Sequence, residues 1–169
     1  APYYFHEGTN YETYKYLGCH VQKKKNGTYK YTFRTWAPNS SYLAVVGDFC
    51  DWDEGIPMQR ITDGGVWECT FESDVCYEGY KYKFKIATSR GYNLKGDPYA
   101  FSSEGGSGGA SYIWLESNFK WKDATWLKHR KKTLVTKKGS YLPYPVNIYE
   151  VHLGSWKVHG EEIFYSYRQ

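Results

Sequence analysis

The sequence predicts an all-β fold, an antiparallel sandwich or barrel. Three observations carry this. Apolar and polar residues alternate with period two around Tyr31 and Tyr82. Turn signals between Tyr29 and Leu115 recur at about the 8–12-residue spacing of small β domains. No helical period appears over the same stretch.

The first strand is marked by Tyr29, Tyr31 and Phe33, which alternate with Lys30, Thr32 and Arg34 and so form a half-buried ribbon. Trp36-Ala37-Pro38-Asn39 turns it. Tyr42 to Val46 is a second strand, closed by Gly47-Asp48. Pro57–Thr62 and Val66–Phe71 flank Asp63-Gly64-Gly65, a strong hairpin signal because Asp-Gly supplies the positive φ of a tight turn. The clearest strand sets Tyr80, Tyr82, Phe84 and Ile86 against Lys81, Lys83, Lys85 and Ala87. Arg90-Gly91 turns it, Tyr92 to Leu94 returns, and Ser111 to Leu115 is the last short strand. Beyond it the texture changes. Asp123 can cap a short helix from Ala124 to about Lys132. Pro143 and Pro145 then mark an extended linker. Val146 to Leu153 reads as a buried-type strand ending at Gly154. Four segments follow: an arm at 1–28, the β domain at 29–116, a helical and extended linker at 117–145, and a final segment at 146–169.

The 169 residues suit one principal domain with an arm or stub, against about 150 per domain. With 22 Lys plus Arg against 18 Asp plus Glu, the net charge of +4 is mildly basic and demands no nucleic-acid partner. No run approaches the ~18 apolar residues of a membrane span, so no membrane partner is expected. Met58 is the one methionine, so a chain opening at Ala1 is expected to be processed, trimmed or cut from something longer, and no signal peptide is read in it. Cys19, Cys50, Cys69 and Cys76 contain no Cys-x-x-Cys pair and read as free, mostly buried thiols of a reducing compartment.

Catalytic and metal signals are weak. Gly105-Gly106-Ser107-Gly108-Gly109 formally satisfies G-x-S-x-G, but a nucleophile elbow needs a helix after the serine, and a short strand follows here. The segment reads as a flexible loop. His6, His20, His129, His152 and His159 have no zinc-like spacing. Asp48, Asp51, Asp53 and Glu54 lack the order of a calcium loop and read as a polar turn. No cofactor is expected.

Aromatic content is the outlier: 20% of residues, with 19 Tyr and 7 Trp. Trp52 lies between carboxylates in a loop and is expected to be exposed, whereas Trp67 lies within a strand and is expected in the core. A flat ring can stack on the C–H face of a sugar while Lys, Asn or Asp groups bind the hydroxyl rim. For Lys81, Lys83 and Lys85 a solvated strand face is the simpler reading, with ligand binding as the alternative. The Tyr-rich strands and the basic run from Lys128 to Lys138 would also suit single-stranded nucleic acid, a reading ranked last because +4 is modest.

Phe33-Arg34-Thr35-Trp36-Ala37-Pro38-Asn39, Val45-Val46-Gly47-Asp48-Phe49 with Trp52, Gly65-Val66-Trp67-Glu68, Tyr80-Lys81-Tyr82-Lys83-Phe84 and Asp97-Pro98-Tyr99-Ala100-Phe101 occur in that order. Together they resemble a family 48 carbohydrate-binding module, and more narrowly the module preceding the barrel of glycogen (1,4-α-glucan) branching enzymes. Phe5-His6-Glu7-Gly8-Thr9-Asn10-Tyr11 and Tyr16-Leu17-Gly18-Cys19-His20 resemble the lead-in of those enzymes. Ile148-Tyr149-Glu150-Val151-His152-Leu153-Gly154-Ser155-Trp156 resembles their first barrel strand, and Tyr165-Ser166-Tyr167-Arg168 the start of the next helix. The resemblance implies an immunoglobulin-like β-sandwich with a short N-terminal arm and a C-terminal stub of a (β/α)8 barrel of glycoside hydrolase family 13.

It also implies a cytoplasmic α-glucan (glycogen or maltooligosaccharide) binder that is not itself catalytic, since the family's carboxylates fall on later barrel strands. A module that mainly orients its own catalytic barrel is the alternative, with self-association of an uncovered apolar face as its marker. Related glycogen-binding modules use a tryptophan after the Gly-x-Phe turn, a lysine on the Tyr-Lys-Phe strand and an aromatic in the next hairpin. These carry over to Trp52, Lys83 and, less directly, Tyr92, because the hairpin loop differs from the family pattern. Gly105–Gly109 also departs from the bulkier segment usual there.

Overall fold

The computed structural model describes residues 2–115, 119–134, 147–152, 156–159, 163–164 and 168. The chain divides into two compact units, Ala1–Ser117 and Asn118–Gln169.

In the first unit a short helix, α1 (Pro2–His6), and a 3-10 turn (Thr13–Lys15) precede the strands. These are β1 (Gly18–Lys23), β2 (Tyr29–Trp36), β3 (Leu43–Gly47), β4 (Ile56–Pro57), β5 (Gln59–Arg60), β6 (Val66–Ser73), β7 (Lys81–Thr88), β8 (Gly91–Lys95), β9 (Ser102–Ser103) and β10 (Ser111–Tyr112). One sheet has the order β1-β2-β6-β5. The other has the order β4-β3-β7-β10-β9, with β8 also on β7. Every pairing is antiparallel.

The two sheets bury their facing rows against each other, as an immunoglobulin-like sandwich does. Tyr31, Phe33, Trp67 and Cys69 come from one sheet, and Leu43, Val45, Tyr82 and Phe84 from the other. Phe33 meets Tyr82 edge-on across the interior at 5.0 Å between ring centres and stacks on Phe71 at 6.0 Å. The buried Tyr31 hydroxyl donates to the Val75 carbonyl at 3.0 Å and accepts the Tyr77 N–H at 2.9 Å, so its burial leaves no polar atom stranded. Trp67 is in the core, as its strand position predicts, and its indole donates to the Ala37 carbonyl at 3.0 Å.

The alternating stretches became strands as predicted, but other segments differ: the strand read as Ser111 to Leu115 stops at Tyr112, and Ser102–Ser103 forms an additional short strand. Residues 18–23, read as part of the arm, form β1, paired along its length with β2. The stretch Pro57–Thr62, read as one strand, is split. Ile56–Pro57 pairs with β3, Gln59–Arg60 pairs with β6, and Met58 between them is buried in the core. The chain there crosses from one sheet to the other. The β5–β6 turn takes its positive φ at Gly65 (φ 89°). All four cysteines are free thiols; Cys19 and Cys69 are buried on either side of Phe33.

In the second unit α2 (Ala124–Leu134) forms where the Asp123 cap places it. A ribbon pairs β11 (Val158–His159) with β12 (Ile163–Phe164). The strand expected from Val146 to Leu153 is not seen among the described residues. Residues 147–152 form no strand, and Ile148 is 87% exposed. A parallel barrel strand holds its backbone through neighbours on both sides, and none is present among the described residues. The expected helix start at Tyr165 to Arg168 lies, Arg168 apart, outside the described residues, as do 153–155.

Candidate functional site

The outer face of the six-stranded sheet is read from its register. On β7, Tyr82, Phe84 and Ile86 point inward, so Lys81, Lys83, Lys85 and Ala87 point outward. Across from Lys83 and Lys85 stand Val46 and Ala44 of β3. Across from Lys85 and Ala87 on the other side stand Leu94 and Tyr92 of β8. Tyr112 of β10 stands opposite Lys81. Lys83 and Tyr92 therefore share one face.

Trp52 lies in the loop after β3, at the end of β7 where Lys81 begins the strand. A 3-10 turn (Asp48–Cys50) leads into Asp51 and Trp52, both left-handed, at φ 51° and 61°. A tryptophan in that region is strained, and such strain concentrates at functional positions. The ring is 36% exposed, as its position between carboxylates predicts. Its indole N–H donates to Asp48 Oδ1 at 2.7 Å. Asp48 Oδ2 accepts the Lys81 backbone N–H at 2.7 Å. The acidic loop is thus a bracket that ties Trp52 to the first residue of β7. The loop returns over β3: a Cβ on Gly55 would lie 2.4 Å from Val46 Cγ1, so only glycine allows so close an approach.

Lys83 is not free. Its ammonium donates to the Gly108 carbonyl at 2.5 Å, which leaves two N–H groups for other partners. Lys81 pairs with Glu104 at 2.6 Å, and Glu104 Oε2 also accepts the Ala110 N–H at 3.4 Å. This contact with Lys81 holds the Glu104 carboxyl below its ordinary range. The loop read as flexible is accordingly tied down on both sides. It joins β9 to β10, and no helix follows the serine.

Tyr92 is 61% exposed and meets Tyr42 edge-on at 5.9 Å. The cation over its ring is Lys85, at 5.3 Å, a residue that sequence reading left on a solvated face. Its signal was its register parity with Lys83. Trp52 sits at the Lys81 end of β7 and Tyr92 at the Ala87 end. Six residues of strand separate those ends by about 20 Å. The structure thus sets Lys83 and Tyr92 on one face and the Trp52 loop at one end of the same strand, without bringing the three residues into contact.

A row of spaced rings with lysines between them suits an extended chain of sugar units rather than a single ring. Residues 16–100 match the family model for carbohydrate-binding module 48, the isoamylase N-terminal domain. The chain belongs to this family. Trp52, Lys83 and Tyr92 all fall within the matched residues. Two 1,4-alpha-glucan branching enzymes GlgB are similar over nearly the whole chain. The Oceanobacillus iheyensis enzyme is 39% identical over 171 residues, which is 99% of this chain and 25% of the relative. The Aquifex aeolicus enzyme is 40% identical, over 99% of this chain and 26% of the relative. The chain thus spans about a quarter of the length of these curated relatives. The structure of pullulanase type I from Bacillus subtilis str. 168 complexed with maltose superposes with a TM-score of 0.47 at 22% identity. That match covers 63% of this chain and 14% of the pullulanase. Among the described residues no His, Cys, Asp and Glu cluster could hold a metal ion, and no helix is long and apolar enough to cross a membrane.

Proposed function

We propose that this chain is a non-catalytic α-glucan-binding module of a 1,4-α-glucan branching enzyme. A linear α-1,4-linked chain lies along the outer face of the six-stranded sheet. Trp52 stacks on a sugar at one end, the two unused N–H groups of Lys83 bind hydroxyls at the middle, and Tyr92 with Lys85 holds the other end. This reading is supported by Lys83 and Tyr92 sharing one face of the sheet, with the Trp52 loop tied through Asp48 to the first residue of the same strand, β7. Chemistry on the glucan belongs to a separate catalytic barrel, and none is assigned to residues of this chain. The exposed Cys76 thiol fits a reducing cytoplasm, where glycogen would be met.

The test is a titration of indole NMR resonances with maltoheptaose, on the 169-residue chain and on Trp52→Ala. Saturable shifts that vanish in the variant support the site. No shift of the Trp52 indole at millimolar sugar overturns it.

A second reading, a module that mainly orients the barrel, is favoured by one observation. The Trp52 indole N–H already has Asp48 as its acceptor, and one of the three Lys83 N–H groups already has the Gly108 carbonyl. Under that reading maltoheptaose produces no saturable shift in the module alone.

A further inference from the structure

A cleft of about 450 Å3 is lined by Tyr14, Lys15, Cys19, His20, Phe101 and Trp114. It follows the free edge of β1, since β1 pairs with β2 alone. Phe101 and Trp114 flank β9 and β10 and come from the opposite sheet. From this geometry we infer that the β1-edge cleft is a second α-glucan-binding site, distinct from the Trp52–Tyr92 face.

Three features carry the inference. The first is the rings. Phe101 is 54% and Trp114 47% exposed, although each lies beside a strand where an apolar residue would ordinarily be covered. Phe101 is fixed edge-on against His20 at 6.1 Å, so it is a positioned platform rather than a loose ring.

The second is the unused polar groups. In the sandwich unit, Trp36, Trp52 and Trp67 donate their indole N–H to Gly64, Asp48 and Ala37 respectively. Trp114 has no protein acceptor among the described residues, so its donor is open to a hydroxyl. His20 Nε2 is bound to the Leu17 carbonyl at 2.9 Å. That bond makes Nε2 the N–H in the neutral ring and leaves Nδ1 as an acceptor. An antiparallel edge strand also leaves the backbone groups of alternate residues unpaired along its free side, here beside the cleft.

The third is the ligand class. Flat rings, an open indole donor, an imidazole acceptor and a row of backbone groups match the apolar face and hydroxyl rim of a sugar. The inference rests on the reading of this chain as an α-glucan-binding module. Phe101 and Trp114 lie outside the residues matched by the family model, so the match does not itself assign this cleft.

The experiment is the same indole titration with maltoheptaose, followed at Trp114 in the 169-residue chain and in Trp52→Ala, with Trp114→Phe used to assign the resonance. The expected result is a saturable Trp114 shift in both proteins, weakened about tenfold in Phe101→Ala, the loss expected for one stacking ring. A Trp52 shift with a still Trp114 overturns the second site and leaves the first. A Trp114 shift with a still Trp52 supports the cleft and removes the first site. Stillness of both removes both. A Trp114 shift that follows protein concentration without sugar overturns the cleft in favour of edge-to-edge pairing between copies.

Discussion

Trp52 and Tyr92 sit at opposite ends of β7, and each is fixed by a different neighbour. Asp48 accepts the Trp52 indole N–H at 2.7 Å, and Lys85 stands 5.3 Å above the Tyr92 ring. The two rings are therefore held in place before any ligand arrives. That reduces the ordering cost of binding a flexible oligosaccharide.

Asp48→Ala removes the acceptor that holds Trp52 and the acceptor of the Lys81 N–H. Loss of one such bond costs about 1 kcal/mol, or roughly fivefold in affinity. Maltoheptaose affinity is expected to fall by about that factor, with a change in the Trp52 indole shift of the free protein. Asp48→Asn keeps one acceptor oxygen and recovers part of the affinity. A fall in melting temperature with unchanged affinity would make Asp48 a purely structural residue.

Lys83→Met keeps the stem and removes the ammonium. It should weaken maltoheptaose about fivefold, the loss of about 1 kcal/mol. It should also speed amide exchange in residues 105–109, because the Gly108 carbonyl loses its donor. Exchange that is unchanged would show that Glu104 and Lys81 suffice to hold the loop.

The strands that alternate strongly were legible in the sequence, because period two is imposed by the pleat itself. Tyr80 to Ile86 is the clearest case. Gly18–Lys23 was missed because an edge strand buries little: only Gly18 and Cys19 are fully buried, so its alternation is faint. The split at Met58 was missed because a change of sheet leaves no break in local pattern. Ile148 to Val151 has a strand's composition but no ladder partner among the described residues. At the candidate site, the motifs marked Trp52 and Lys83, and the structure shows the indole held by Asp48 and the ammonium held by Gly108. Lys85 was not, because its contact with Tyr92 depends on the register Ala87↔Tyr92, which the hairpin turn sets. The bracket by Asp48 was also hidden, since four clustered carboxylates carry no mark of which one turns inward.

Tyr82→Phe tests the buried polar link beneath the site. The Tyr82 hydroxyl donates to Asp97 Oδ2 at 2.6 Å, while Asp97 Oδ1 accepts the Tyr99 N–H at 2.8 Å. The Asp97 N–H donates to Ser111 Oγ at 2.8 Å. Burial pushes the Asp97 carboxyl above its ordinary range, and it pushes the Tyr82 phenol up as well. Removing the hydroxyl strands a buried carboxylate oxygen, a cost of about 1–3 kcal/mol. Urea unfolding should show that loss. A change within about 0.5 kcal/mol, the range of an ordinary surface substitution, would mean that water replaces the hydroxyl.

Alkaline stability follows from Cys69. Burial pushes its thiol from 9.0 to about 12. The folded state therefore holds this proton more tightly than the unfolded chain. The stabilisation is fully present below pH 9 and is lost as pH rises toward 12. Its upper size is about 4 kcal/mol. Stability measured from pH 8 to 11.5 should fall, and Cys69→Val should flatten the fall by removing this group. An identical pH profile in the variant would assign the loss to Tyr82 and Cys19, both also raised by burial.

Trp52 carries a positive φ of 61°, a conformation that costs a side-chain-bearing residue roughly 1–2 kcal/mol and costs glycine almost nothing. Trp52→Ala and Trp52→Gly both delete the ring and its bond to Asp48, so the difference between them isolates the backbone. Neither variant should bind maltoheptaose at the sheet face. Trp52→Gly should nevertheless be the more stable of the two, by about 1 kcal/mol in urea unfolding, because the gain from relieved strain exceeds the added entropy of an unfolded glycine. If the alanine variant is equally stable, the loop relaxes on losing the ring, and Trp52 itself holds the left-handed turn through Asp48. If the glycine variant is the more stable, the strain belongs to the backbone and is carried by the turn that presents the Trp52 ring at the end of β7.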